Sequence, residues 1–322
     1  MSGKKPGMDV LKMNLASMPT AVIIVVSMAA CLLCGIFRNY YSKTFMTEKS
    51  GNYVYNGATS VLCAATLAVI AGFRLNASLY TVLMAVFFGI VTMAATVFIT
   101  MALKVGPWSY TSVIVSFSTV ITSLSGFIFW HEKFNALKIT GIILMMFCFV
   151  LAVGKDDEEK SFSVKWLILA FAAAVAAAGI GIMQKVHQSS EHSGELVPFL
   201  IIAFAVSFVF SVAAYKIETR RESENRNVHF PAAEDKNKNK CLKKRAVFVL
   251  ILIISGICIA LNNYFNLYLS GVVESAVLFP ILNGGGLILN IMAGVLLFKE
   301  RLTLKQWGGI MCGVAATICL CF

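Results

Sequence analysis

Ten predominantly apolar stretches dominate this chain, at residues 20–41, 53–72, 79–103, 107–130, 136–154, 165–184, 196–215, 246–270, 272–298 and 305–322. Each is near the length, roughly 20 residues, that crosses a bilayer as a helix. Backbone groups in hydrocarbon find no water, so such segments must close their hydrogen bonds internally, as helices do. The alternating pattern of a transmembrane barrel strand is absent. Only 13% of the residues are charged, against about a quarter in soluble domains. The expected fold class is an all-α polytopic membrane protein with ten transmembrane helices, integral to the plasma membrane.

The segment MSGKKPGMDVLKMN ahead of the first stretch has the basic flavour of a secretory leader. The apolar run behind it is too long, and a second follows at once, so it reads as a retained first helix. Of the nine cysteines, eight lie inside apolar stretches and only Cys241 in a polar loop. The Cys31/Cys34 spacing is better read as small-residue packing than as redox or metal chemistry. The net charge of +11 comes from loop lysines and arginines. It suits a lipid headgroup surface, and no nucleic-acid partner is expected.

The chain also repeats itself. GFIFWHEKFNALKITGII (126–143) aligns without gaps against GVLLFKERLTLKQWGGIM (294–311). Each copy reads as a helix end, a basic–Glu–basic turn (His131-Glu132-Lys133 and Lys299-Glu300-Arg301), a cap at Asn135 or Thr303, and a new helix. Weaker correspondences follow in the same order, Lys43-Thr44 with Lys185-Val186 and Ser50-Gly51 with Ser193-Gly194. The expected units are residues 1–154 and 155–322, each a five-helix repeat, the second with a polar insert at 216–245 read as disordered. An odd number of crossings inverts the second copy, and inverted repeats around a midplane site are a common plan of secondary transporters.

Two five-helix halves, each with an apolar–Gly–Glu turn before its last helix, resemble the drug/metabolite transporter superfamily of the EamA-like type. The resemblance runs from about Thr20 to Phe322, and ALKVGPWSYTSVIVSFS (102–118) carries the fourth-helix pattern, its second copy including Pro280. Cys34-Gly35 stands where many members have Trp-Gly, and the first-half fourth helix has Pro107 only at its start. The resemblance implies a central cavity lined by helices one, three, four, six, eight and nine, and cytoplasmic termini.

Polar residues within the apolar stretches indicate where a solute would sit. Asn283 and Asn290 in LFPILNGGGLILN (278–290) are seven apart and share one helix face with Pro280 and Gly286–Leu287. The equivalent first-half helix carries Ser112, Ser116, Thr119 and Ser123; the third stretch carries Thr92, Thr96 and Thr100; the eighth carries Ser255, Asn262 and Asn266; the first carries Ser27 and Tyr41. An unpartnered amide in hydrocarbon costs several kcal/mol, so these stripes should face a shared interior. The expected cavity residues are Tyr41, Thr96, Ser116, Thr119, Asn262, Asn266, Asn283 and Asn290. Any single Ser or Thr has a competing reading as helix glue, worth about 0.6 kcal/mol. The Ala-rich run 170–181 reads as close helix packing, and Glu132 and Glu300 as interfacial turn charges.

The expected function is a secondary transporter that moves a small metabolite, an amino acid or similar neutral or zwitterionic solute, by alternating access. Alternatives are a nucleotide-sugar-type carrier, a multidrug exporter, a channel or an intramembrane enzyme. The enzyme is disfavoured because all four histidines fall in loops and no nucleotide loop, nucleophile motif or metal spacing appears. No cofactor is expected, and homo-oligomerisation is left open. Multidrug exchange is disfavoured because no carboxylate lies well inside a stretch, Glu274 coming nearest. A nucleotide-sugar carrier needs cavity cations; Arg38, Lys43, Lys104 and Lys185 lie near stretch ends, where snorkelling is the default. Lys and Arg placement favours an external N-terminus by the positive-inside rule, against the resemblance. With cytoplasmic termini, Cys241 is expected to react with a membrane-impermeant thiol reagent in intact cells; its protection would overturn that orientation.

Overall fold

The computed structural model describes residues 18–72, 76–131, 135–153, 163–226, 238–300 and 304–321. Among them all regular structure is helical: α1 (Thr20–Thr44), α2 (Ser50–Ile70), α3 (Leu79–Val105), α4 (Trp108–Val115), α5 (Ser118–Trp130), α6 (Ala136–Val153), α7 (Val164–Gln188), a 3₁₀ turn at Ser193–Glu195, α8 (Leu196–Arg226), α9 (Lys238–Val272), α10 (Ser275–Phe298) and α11 (Leu304–Cys321). Eight membrane-crossing spans are long and apolar enough among the described residues, with α4 and α5 together forming one. The fifth and tenth expected stretches correspond to α6 and α11, 18 residues each, which fall outside that set of eight. The polar insert differs from expectation. Helix α8 continues to Arg226 and α9 begins at Lys238, so both flanks of 216–245 are helical, extending α8 and α9 beyond their apolar lengths. The cap expected at Thr303 and the turn charge Glu132 lie outside the described residues.

Helix breaks do not follow the breaker residues. The stretch holding Pro280 and Gly284–Gly286 forms one continuous helix, α10. The first-half counterpart is interrupted between Val115 and Ser118. There the backbone tightens into three-residue bonds, Phe117 N–H to Ile114 C=O at 3.1 Å, Thr119 to Ser116 at 2.9 Å and Val120 to Phe117 at 3.0 Å. The Ser116 hydroxyl donates to the Val113 carbonyl at 2.6 Å. Serine back-bonding of this kind bends membrane helices without a proline.

The helices pack in a reciprocal pattern. Helix α1 pairs with α9, α3 with α7, α2 with α8, α10 with α4 and α5, and α6 with α11. Two turns match in detail. Helix α5 ends on His131 at φ 52°, its N–H bonded to the Gly126 carbonyl, and α10 ends on Lys299 at φ 53°, bonded to Gly294. Left-handed caps are usually glycine, so two non-glycine examples at aligned positions are a specific correspondence.

Close packing depends on a few glycines. A Cβ on Gly89 of α3 would overlap the Ala203 backbone carbonyl of α8, whereas one on Gly308 of α11 meets nothing within 4 Å. Gly89→Ala is expected to lower stability by about 1–3 kcal/mol through overpacking, and Gly308→Ala to leave it unchanged or raise it. Thermal unfolding of the detergent-solubilised protein reads both; equal midpoints for the two variants would contradict this packing.

Candidate functional site

A cavity of about 270 Å³ lies inside the helix bundle, and residues of α1, α3, α4, α7, α9 and α10 face it. Each helix contributes one stripe. Helix α1 presents Cys31, Cys34, Gly35 and Arg38; α3 presents Thr92, Ala95, Thr96, Ile99 and Leu103; α10 presents Leu282, Asn283, Gly286, Leu287 and Asn290. Spacings of three, four and seven put each set on one helix face. Gly286 is buried, yet a Cβ there would meet nothing within 4 Å, so its missing side chain leaves room in the cavity.

Six of the eight expected residues line this space: Thr96, Ser116, Asn262, Asn266, Asn283 and Asn290. They do not play equal parts. Asn262 Nδ2 donates to the Ser27 carbonyl at 3.1 Å, the Ser27 hydroxyl to Asn266 Oδ1 at 2.6 Å, and Asn266 Nδ2 to Asn262 Oδ1 at 3.3 Å. This network clamps α1 against α9. Asn283 is half-buried on the cavity face, and the buried Oδ1 of Asn290 has no hydrogen-bond partner among the described residues.

Tyr41 and Thr119 stand elsewhere. Tyr41 is 1% exposed, its hydroxyl donates to the Gly51 carbonyl at 2.7 Å, and its ring packs on Tyr55 at 4.7 Å. It belongs to the core between α1 and α2, because its polar end is captured by a turn rather than left facing the interior. Thr119 is also 1% exposed and does not line the cavity. The break at Ser116 is the cause: three-residue bonding advances each residue about 120° instead of 100°, turning the Ser112–Ser116 stripe away before it reaches Thr119.

The structure adds residues that the sequence reading passed over. Arg38 faces the cavity instead of snorkelling to a helix end, its guanidinium 3.5 Å from the Cys34 sulfur. Ala173, Ala177, Ile180 and Gln184 of α7 also line it. The Ala-rich run thus packs and lines at once, and Gln184, on the same four–three–four stripe, was the available signal.

Carboxylates cap helices at both ends of the bundle. Glu300 accepts from the Trp108 and Ser109 N–H groups at 2.7 and 3.0 Å and from the Ser109 hydroxyl at 2.6 Å. The N-terminus of α4 is therefore neutralised by a side chain from the turn after α10, where helix amides and dipole favour an anion. Lys43 approaches Glu300 to 3.8 Å. Trp108, 2% exposed, covers the cavity at this end, packed over Gly35 and edge-on to Phe298 at 5.4 Å. At the other end Glu195 accepts from the Ser78 N–H and hydroxyl, both at 2.8 Å, and Thr81 contacts the buried His187 at 3.3 Å.

Among the described residues no group of three His, Cys, Asp or Glu side chains is arranged to hold a metal. The fold is similar to that of a solved crystal structure, described only as a protein, at a TM-score of 0.61 and 11% identity over 93% of this chain and 96% of that one. That likeness establishes the fold alone. No curated protein matches the chain. The family model of the EamA-like transporters matches residues 164–322, from the start of α7 to the end of the sequence. Members of that family are integral membrane transporters of small solutes; on this match the second half of the chain is similar to the EamA-like transporters, and the protein is an integral membrane protein.

Proposed function

We propose that this protein is a secondary carrier that moves a small metabolite, an amino acid or similar solute, by alternating access of two inverted five-helix repeats, residues 1–154 and 155–322. The observation that carries the reading is the cavity within the bundle, lined by polar and apolar side chains from helices of both halves. The packing pattern supports the repeat. Exchanging each helix for its counterpart five spans away converts α1–α9 into α7–α3 and leaves α2–α8, α6–α11 and the α4/α5–α10 pairing unchanged. The matched left-handed caps at His131 and Lys299 obey the same exchange. Such internal symmetry lets one sequence build two related states, each open at one end.

The cavity volume, about 270 Å³, is just below the usual range of ligand pockets, about 300–1,000 Å³, and accommodates an amino-acid-sized solute. Multidrug exchange through a membrane carboxylate is disfavoured because no Asp or Glu is among the residues lining the cavity. The carboxylate caps suit the two ends of an alternating mechanism: Glu300 ties the turn after α10 to α4, and Glu195 ties the α7–α8 turn to α3. Each must release when its own end opens.

Asn283→Leu places a branched apolar group where an amide faces the cavity. It is expected to abolish counterflow of a preloaded solute in proteoliposomes while membrane insertion and unfolding temperature persist; full transport in this variant would remove Asn283 from the site. Glu300→Ala leaves two buried N–H groups unpaired and is expected to cost about 1–3 kcal/mol in thermal unfolding. Lys43→Ala should cost less than about 1 kcal/mol, because its side chain is 38% exposed and the pair is long. A larger loss from Lys43→Ala than from Glu300→Ala would reverse that assignment.

A further inference from the structure

Among the described residues, the cavity lining holds a single charged side chain. Arg38 stands on the α1 stripe with Cys31, Cys34 and Gly35, and none of the lining residues is Asp or Glu. Its protein contacts are neutral ones: a 3.5 Å contact to the Cys34 sulfur, a weak acceptor, and the neighbouring Tyr55 hydroxyl. The Arg38 Nε is buried and unpartnered. Glu300, the carboxylate at the Trp108 end, is already engaged by Trp108, Ser109 and Lys43. A guanidinium has five donors and remains charged in proteins. Burying a cation inside a membrane bundle without an anion is costly, and such residues in membrane proteins mark substrate paths.

Other polar groups in the cavity are disposed around this charge. Asn290 Oδ1 faces Gly35, one turn of α1 from Arg38: a Cβ on that glycine would lie 3.3 Å from it. The Asn290 Oδ1 and the hydroxyl of Thr92 are, like Arg38 Nε, buried and unpaired. Asn262 and Asn266 are committed to Ser27 and to each other, so they cannot supply the missing counter-charge. The site therefore has a fixed positive charge, spare donors and a small volume.

We infer that Arg38 is the solute-selecting residue of this cavity and that the transported solute carries an oxyanion, a carboxylate or a phosphate, which supplies the counter-charge the protein lacks. This rests on the carrier reading and narrows it: wholly neutral and purely cationic solutes are excluded, whereas amino acids and small organic acids are retained. A guanidinium grips an oxyanion through paired, charge-assisted hydrogen bonds, which a neutral isostere cannot replace.

The test uses the full-length protein in detergent and a panel of matched pairs: L-alanine with L-alaninamide, pyruvate with acetone, and glycerol 3-phosphate with glycerol. At least one anionic member is expected to raise the unfolding temperature and to bind about tenfold or more tightly than its partner lacking the anion. The alanine and pyruvate arms report a carboxylate; the glycerol 3-phosphate arm reports a phosphate. Arg38→Gln should erase this discrimination, and Arg38→Lys should keep part of it. Without solute, Arg38→Gln should unfold at the same or a higher temperature, since it removes a half-buried charge that has no counter-ion; a clear drop would mean that Arg38 is structural. Equal binding within pairs, discrimination that survives Arg38→Gln, or no stabilisation by any acid overturns the inference. If uncharged members stabilise the wild type but not Asn283→Leu, the cavity remains the solute site and only the anion assignment fails.

Discussion

The organising constraint is that a polar group within the bilayer must find its partner inside the protein. Most of those present do, and their pairings join the helices. Asn56 donates to Ser207 at 3.1 Å and to Ser211 at 2.6 Å, and Ser60 to Ser207 at 3.1 Å, clamping α2 to α8. Asn52 donates to the Val97 carbonyl at 3.0 Å, holding α2 to α3. The Ser27–Asn262–Asn266 network holds α1 to α9. Each bond contributes modestly in a membrane; what it supplies is register, since a shift of one residue would leave an amide facing hydrocarbon. Of the unpartnered groups, Arg38 Nε, Thr92 and Asn290 face the cavity, whereas Asn39, Thr119, Ser123 and Ser255 lie off it. Glue and site are thus drawn from the same residue types, and only tertiary placement separates them.

That distinction explains how much was legible in the sequence. Hydropathy located the helices closely because the bilayer imposes length and apolarity on every span: α3 was expected at 79–103 and occupies Leu79–Val105. The insert misled because α8 and α9 carry polar turns beyond their apolar lengths, and a charge run looks alike in a loop and in the overhang of a long helix. Stripe geometry brought Thr96, Asn283 and Asn290 to the cavity, since helical periodicity holds wherever the helix is regular. It failed at Thr119, just past a break that a serine hydroxyl makes without proline. Tyr41 was lost because its hydroxyl reaches back to the Gly51 carbonyl, a tertiary contact that no local spacing encodes.

Arg38 is the most instructive miss. A cation six residues from the end of α1 ordinarily extends its stem toward the interface. Here its guanidinium lies on the cavity face, 3.5 Å from the Cys34 sulfur and one turn beyond the Gly35 on which Trp108 packs. That tertiary setting, part of it contributed by α4, is not encoded in the local spacing of α1.

The asymmetry between the fourth and ninth spans bears on how such a bundle changes state. Under alternating access of inverted repeats, the second state is approximately the first with the conformations of the two halves exchanged. The broken geometry of α4 and α5 would then pass to α10, which must give up the straightness it has here. Breaking a helix in a membrane is tolerated only where it borders a cavity and where freed backbone groups can be met. Helix α10 meets that condition along its Asn283–Asn290 stripe. Gly286 leaves open space on that stripe, and Pro280 has no N–H to give to a helical hydrogen bond. The proline and glycines of α10 would on this account lower the cost of a bend that the present state does not use, while Ser116 makes the corresponding bend in the first half. Under the proposed mechanism, composition and observed conformation diverge because a sequence built for two states need not display both in one.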